Sequence, residues 1–286
     1  MIQSQTNFLK ELLEANPSLT DLAWIDENLN YIIKHKDTQK LYLTYSLLAS
    51  KSADKPLLIG ETKVPELAYL HKQIASFRQL SRVYLLASVL KADFDFFGPK
   101  VAQIIQVADQ GELITFLKFL VLLPRAEYFK DTAVEALRTN ITPVFEAISM
   151  NNPYPELYFN EQQWNQMYLK AAFMQLNLGQ IMGVEKRANA ELARIISDYA
   201  HERWAASRDI DPMIWRPVSL YLNDELLADM DHLLKSDQPS ENIAAALCCC
   251  HSSSKEALEL LESVMPELYH SASNNELNWN QLYDLQ

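Results

Sequence analysis

The chain has 286 residues, 25 Lys+Arg against 37 Asp+Glu, a formal net charge of −12 and only five glycines. A uniformly acidic protein lacks the basic stripe that faces phosphates, which argues against nucleic-acid binding. So few glycines argue against β-rich and α/β folds, whose turns and phosphate loops consume many, and the expected class is all-α.

Helical periodicity runs through almost every segment. Phe8, Leu9, Leu12 and Leu13 make the apolar face of a first helix, which is expected to stop near Asn16-Pro17. Thr20-Asp21 caps a second, which carries Leu22, Trp24, Ile25, Leu29, Ile32 and Ile33. A third covers Thr38 to Ala49, Ser50 to Thr62 reads as a loop, and helices resume over Pro65–Ser76 and Ser81–Leu90. Phe97–Val107 and Gly111–Leu123, joined at Asp109-Gln110, predict a helical hairpin that Pro124 ends. The interval Leu113–Leu123 is also the longest apolar neighbourhood. It is short of the ~20 residues a membrane helix needs and contains Lys118. Residues 1–10 show no basic-then-apolar leader pattern, so a cytoplasmic protein without direct membrane insertion is expected.

The middle of the chain differs. Met150–Glu161, Leu178–Asn189 and Arg208–Pro217 read as ordered loops around two helices, Glu161–Leu176 and Ala190–Ser207. Toward the end, Asp224–Leu234, Glu241–Cys250 and Ser252–Val264 form another helical series, with Ala244-Ala245-Ala246 allowing close approach. This succession of pairs suggests a single 1–286 domain built as an irregular α-solenoid of HEAT or armadillo type, with a compact helical bundle as the alternative. The three cysteines are consecutive, Cys248-Cys249-Cys250. Neighbours on a helix point about 100° apart, so they suit a reduced core better than a metal site or disulfide framework.

Within 125–221 lie the residues a plain packing helix does not need. On the helix Ala190–Ser207, Leu192, Ile195, Ile196 and Tyr199 form the expected buried stripe. Arg194, Asp198, His201 and Arg208 fall on another face at helical spacing. An Asp three residues before a His is placed to hold its ring as a general base, and nearby arginines offer forked donors to a carboxylate or phosphate. The same spacing equally describes a salt-bridged, solvated face in which Asp198 pairs Arg194. Candidate catalytic residues are His201 and Asp198. Candidate ligand contacts are Asn165, Lys170, Arg187, Asn189, Arg194, His201, Trp204, Arg208, Trp215 and Arg216. Trp204 and Trp215 each adjoin an arginine, which permits cation–π stacking, although a Trp also serves as a packing anchor. His201-Glu202 has no second His at zinc-protease spacing, and no Gly-rich phosphate loop or nucleophile elbow occurs, so no metal or cofactor is expected.

The chain resembles the EboA family. The likeness rests on Val144-Phe145-Glu146-Ala147-Ile148, Asn152-Pro153-Tyr154-Pro155, Phe159, and Trp164-Asn165-Gln166-Met167 with Leu169-Lys170. It continues through Arg187-Ala188-Asn189, Glu191-Leu192-Ala193-Arg194, Asp198 to Ala206 and Trp215-Arg216. The resemblance implies a small soluble member of a bacterial gene cluster for making or exporting a secondary metabolite. That cluster also encodes a UbiA-like prenyltransferase and a dehydroquinate-synthase-like enzyme. It carries no established catalytic residues to this chain. The expected role is an accessory protein that binds a pathway metabolite or a partner enzyme of the cluster through the central Arg/His/Trp/Asn region. The alternative is an enzyme using His201 as base, oriented by Asp198.

Overall fold

Residues 2–15, 18–58, 64–274 and 276–283 are described in a computed structural model, and their regular elements are helices, with two isolated antiparallel bridges, Thr20–Ser52 and Pro56–Ser76. The all-α expectation holds for them. The readings at Asn16-Pro17 and across 59–62 lie outside the described residues. No described helix is long and apolar enough to cross a membrane. The chain divides into two compact units, 1–158 and 159–286.

The first unit contains α1 (Ile2–Glu14), α2 (Leu22–His35), α3 (Thr38–Lys51), α4 (Pro65–Lys72), α5 (Phe77–Ala92) and α6 (Phe94–Ala102). It continues with α7 (Ile104–Val107), α8 (Gln110–Lys118), α9 (Lys130–Ala136), α10 (Thr142–Ser149) and the single turn α11 (Tyr154–Tyr158). Short polar side chains start α2, α3, α5, α6 and α8. Asp21 Oδ1 accepts from Trp24 N at 3.1 Å, and Asp37 Oδ1 from Lys40 N at 2.9 Å. Reciprocal Ser76–Gln79 and Asp109–Glu112 boxes begin α5 and α8.

The central helix α5 is buried on most of its circumference and packs on α1, α2, α3, α6 and α8. Its one buried charge, Arg82, organises the middle of the unit. The Nη2 atom lies 3.4 Å from Glu112 Oε1, Nε donates to the Tyr45 carbonyl at 3.3 Å, and the guanidinium sits 5.2 Å from the Tyr45 ring centroid. Tyr45 completes the circuit by donating its hydroxyl to the Glu112 carbonyl at 2.9 Å. One ion pair thereby ties α3, α5 and α8 together. Further along, Asn152 Nδ2 donates to the carbonyls of Ala147 (2.8 Å) and Leu117 (3.2 Å), its Oδ1 accepts from Tyr154 N, and the Tyr154 hydroxyl reaches the Ala126 carbonyl at 2.7 Å. The Asn-Pro-Tyr-Pro motif is therefore a brace.

The second unit contains α12 (Glu161–Phe173), α13 (Val184–Arg187), α14 (Ala190–Ala205), α15 (Asp224–Leu234), α16 (Pro239–His251), α17 (Lys255–Val264) and α18 (Pro266–Ser273). Helix α16 is its hub, packing on α15, α17, α18 and the 3-10 turns at Pro212–Trp215 and Ser219–Tyr221. The buried run Ala244-Ala245-Ala246 lets the neighbours come close, and Asn242 Nδ2 closes the end of α15 through the carbonyls of Leu233, Leu234 and Ser236.

Several boundaries differ from the sequence reading, for identifiable reasons. Asp93 caps α6 at Phe94, ahead of Phe97, and the expected Phe97–Val107 helix is broken at Gln103, downstream of Pro99 in its interior. The Gly111–Leu123 helix ends at Lys118 and tightens into a 3-10 turn at Leu120–Leu122 before Pro124. Helices α12 and α14 stop short of Leu176 and Ser207, because Gln175 and Ser207 take left-handed conformations, with φ of 54° and 51°. The amides of Leu176 and Arg208 then turn back to the carbonyls of Ala171 and Arg203 at 3.0 and 2.9 Å. The expected loops at Met150–Glu161 and Leu178–Asn189 contain the short helices α11 and α13.

Replacing Glu112 by Ala strands the Arg82 guanidinium in the core and is expected to reduce unfolding free energy by about 3–5 kcal/mol. The double variant Arg82→Met/Glu112→Ala is expected to recover part of that loss. Denaturant titration of the three proteins measures both quantities.

Candidate functional site

Helix α14 positions most of the chemistry, beginning at its cap. Asn189 Oδ1 accepts from Leu192 N at 2.8 Å and from Asn165 Nδ2 at 3.1 Å, while Asn189 Nδ2 donates to Asn165 Oδ1 at 2.9 Å and to the Arg187 carbonyl at 3.1 Å. Asn165 is buried on α12, so this reciprocal amide pair latches α12 to the start of α14. Arg187 donates from Nη2 to the Phe159 carbonyl at 2.7 Å and lies 5.2 Å from the Trp164 ring centroid. Asn165, Arg187 and Asn189 thus come together, with polar atoms turned largely on one another and on the backbone.

Arg194 goes elsewhere. It is exposed, and its guanidinium is shared between Glu191 (2.8 and 3.1 Å) and Asp198 (2.5 Å), both on its own helix. These carboxylates raise its already high pKa. Asp198 is therefore engaged by Arg194, and the carboxylate on His201 comes from another helix. Asp229 of α15 receives His201 Nε2 on Oδ1 at 2.6 Å and the Ser197 hydroxyl on Oδ2 at 2.5 Å. The Asp229 side chain is 3% exposed, against 46% for His201. Ser197 and His201, one helical turn apart, grip both oxygens of a buried carboxylate. The order of contacts matters chemically. The serine bonds the aspartate rather than the imidazole, so His201 is not placed to deprotonate it and the trio is not a nucleophilic triad. With Nε2–H given to Asp229, Nδ1 of the neutral ring is left as an acceptor.

Trp204 extends this face. Its ring lies 5.7 Å from His201, 4.3 Å from His232 of α15, and 6.0 Å from Trp215 at 22° between planes. Trp215 is fully buried, and its indole nitrogen has no hydrogen-bond partner among the described residues. Its carbonyl accepts from the Cys248 thiol at 3.3 Å. Half-exposed Trp204, with exposed His201 and His232 on either side, therefore rests on a buried indole.

The other candidates are dispersed. Arg208 is exposed just past the end of α14. Lys170 is half-buried on α12, and desolvation pulls its ammonium pKa down. Arg216 directs Nε and Nη2 to Glu185 Oε1 at 3.1 and 2.5 Å. A cleft of this unit, 540 Å³ in volume, runs past Gln175, Tyr199, Arg203, Asp209, Asp211 and Gln238 and includes none of the candidate ligand residues. Burial pushes up the thiol pKa values of Cys248, Cys249 (to about 12) and Cys250, which keeps them protonated at neutral pH. Among the described residues, no group of three or more His, Cys, Asp or Glu is placed to share a metal ion.

Sequence reasoning missed Ser197, Asp229 and His232. A signal for Asp229 was present: Leu226, Asp229, Met230 and Leu233 share one helical face, so an acid stands in an apolar stripe and demands a partner. On α14 the buried stripe is Leu192, Ala193, Ile196, Ser197 and Ala200, with Ile195 and Tyr199 only half-buried. That rotation turns Ser197 toward α15.

The fold and this face define an all-helical protein whose densest polar motifs brace helices around an imidazole–indole surface. The family model described as "Metabolite traffic protein EboA" matches residues 5–219, most of the chain. The protein belongs to the EboA family. Ser197, His201, Trp204 and Trp215 lie inside the matched region, whereas Asp229 and His232 lie beyond it. No curated protein and no solved structure matches the chain.

Asp229→Ala is expected to lower stability by about 1–3 kcal/mol, because it leaves the buried Ser197 hydroxyl without its acceptor. Arg194→Ala, on an exposed face, is expected to leave the melting temperature unchanged. Differential scanning calorimetry of the two variants makes the comparison.

Proposed function

We propose that the protein is a non-catalytic accessory of metabolite handling that binds a small, flat metabolite on the His201–Trp204–His232 face. The observation that carries this reading is the buried Asp229 carboxylate, which fixes an exposed imidazole beside an indole already backed by Trp215. A half-exposed Trp held from below offers a flat apolar platform at small entropic cost, and the two imidazoles supply polar contacts at its edges. The family description concerns metabolite traffic, which fits a carrier or presenter of a pathway compound to partner proteins. The wider set of sequence candidates has a weaker claim. Asn165, Asn189 and Arg187 bond one another and the backbone, and Arg194 is held by two carboxylates of its own helix.

The remaining attributes of the reading are consistent with it. Three free thiols suit a reducing, cytoplasmic compartment. The pairings of α8 with α10 and α15 with α16 suit an irregular solenoid, with a helical bundle as the alternative, functioning as one EboA domain.

A second reading has one observation in its favour. His201, held through Nε2 by Asp229 in place of Asp198, presents Nδ1 as a general base to a bound substrate. Native purification followed by mass spectrometry of released small molecules tests both. Binding predicts a co-purified compound whose occupancy falls about tenfold in Trp204→Ala, with pathway output retained in His201→Gln. Full occupancy in Trp204→Ala would overturn the platform, and loss of output with occupancy retained in His201→Gln would establish the catalytic reading.

A further inference from the structure

The 540 Å³ cleft of the 159–286 unit shares no residue with the His201–Trp204–His232 face. Tyr199 and Arg203 line it from one face of α14, four residues apart. Gln175 borders it just past the end of α12, and Gln238 and Ser240 border it at the start of α16. Its walls are held in place by the chain itself. Arg203 Nε and Nη2 both donate to the Asp209 carbonyl, at 3.1 and 2.5 Å, which fixes the segment after α14. Asp211 Oδ1 accepts from Met213 N at 2.9 Å and caps the 3-10 turn that follows. Half-buried Tyr199 is steadied by the Phe173 ring, 4.9 Å away at 73° between planes. A cleft shaped before its ligand arrives loses little entropy on binding.

Polar atoms make up most of the surface this cleft exposes. Elsewhere in the unit the side-chain amides are spent on the protein, as Asn165, Asn189 and Asn242 show. Here they are not. Among the described residues, the side-chain amides of Gln175 and Gln238 and the hydroxyls of Tyr199 and Ser240 have no hydrogen-bond partner. Each of these groups can both donate and accept. Two carboxylates, Asp209 and Asp211, outnumber the one guanidinium, which disfavours an anion. An apolar ligand would take water from the polar groups and return no hydrogen bonds. The ligand that suits this lining is uncharged, carries many hydroxyls, and has a C–H face to lay on an aromatic ring.

We propose that this cleft binds a neutral sugar, as a monosaccharide or disaccharide. One sugar ring lies against Tyr199, and its hydroxyls bond the amides of Gln175 and Gln238 and the Ser240 hydroxyl. Asp209 accepts from a further hydroxyl. The volume lies within the ~300–1,000 Å³ of small-molecule pockets. The site is separate from the metabolite face, and neither depends on the other.

Saturation-transfer-difference NMR and isothermal titration calorimetry on the full chain test this with D-glucose, D-galactose, D-mannose, maltose and sucrose. At least one is expected to bind, with a dissociation constant of about 1 mM. Glucose 6-phosphate, which adds negative charge, and cyclohexanol, which lacks the set of hydroxyls, are expected to bind at least about tenfold more weakly than the best sugar. Gln238→Ala, at an exposed position whose side chain caps nothing, is expected to weaken that sugar about three- to tenfold and leave the melting temperature unchanged. Tyr199→Leu is expected to weaken it about tenfold in protein whose circular dichroism shows it folded. Trp204→Ala, which removes the metabolite platform, is expected to leave sugar binding intact. The proposal is overturned if none of the five sugars binds at tens of millimolar, or if glucose 6-phosphate or cyclohexanol binds as tightly as the best of them. It is equally overturned if Gln238→Ala and Tyr199→Leu have no effect, or if Trp204→Ala abolishes the binding.

Discussion

The burial of one carboxylate, Asp229, governs the arrangement of the site-bearing unit. A charge taken out of water costs several kcal/mol unless its oxygens are met, and α15 carries this one in the middle of its apolar stripe. Helix α14 meets it with Ser197 and His201, whose one-turn spacing sets the rotation of α14 against α15. Everything on the exposed side follows from that rotation. Arg194 and Asp198 are turned outward to pair with each other, and Trp204 is brought over Trp215.

The motifs that make the sequence distinctive thus belong largely to architecture. Asn152 and Tyr154 bond the backbone carbonyls of Ala147, Leu117 and Ala126, and Asn165 with Asn189 joins two helices through paired amides. Arg187 caps a loop carbonyl while lying over Trp164. In a chain with five glycines, several helix ends and turns are made by residues that take left-handed conformations at some cost. Side-chain amides and guanidinia then supply bonds to the freed backbone groups. Dense Asn, Arg and Trp in one region therefore signals irregular backbone as readily as it signals recognition.

This explains what could be read from the residues and what could not. Helical class, the α15–α16 pairing and the burial of Cys248 and Cys249 followed from periodicity and composition, because those features depend on local spacing; Cys250 is only half-buried. Helix ends at Gln175 and Ser207 were placed too late because neither residue is the glycine that usually marks such a stop. Of the two readings that the α14 spacing allows, Asp198 pairs Arg194 and not His201, for a different reason. Asp198 shares its helix and lies three residues away, so it satisfies every local rule. Asp229 is 28 residues distant and becomes a neighbour only when two helices pack. Local spacing names the candidates for a contact, and tertiary rotation chooses among them.

The stacked indoles carry an optical consequence. Trp204 and Trp215 lie 6.0 Å apart and 22° from parallel, close enough for their excited states to mix, and only one of the two is reached by solvent. Circular dichroism of this protein is therefore expected to carry a paired-indole signal that changes with whatever touches the outer ring.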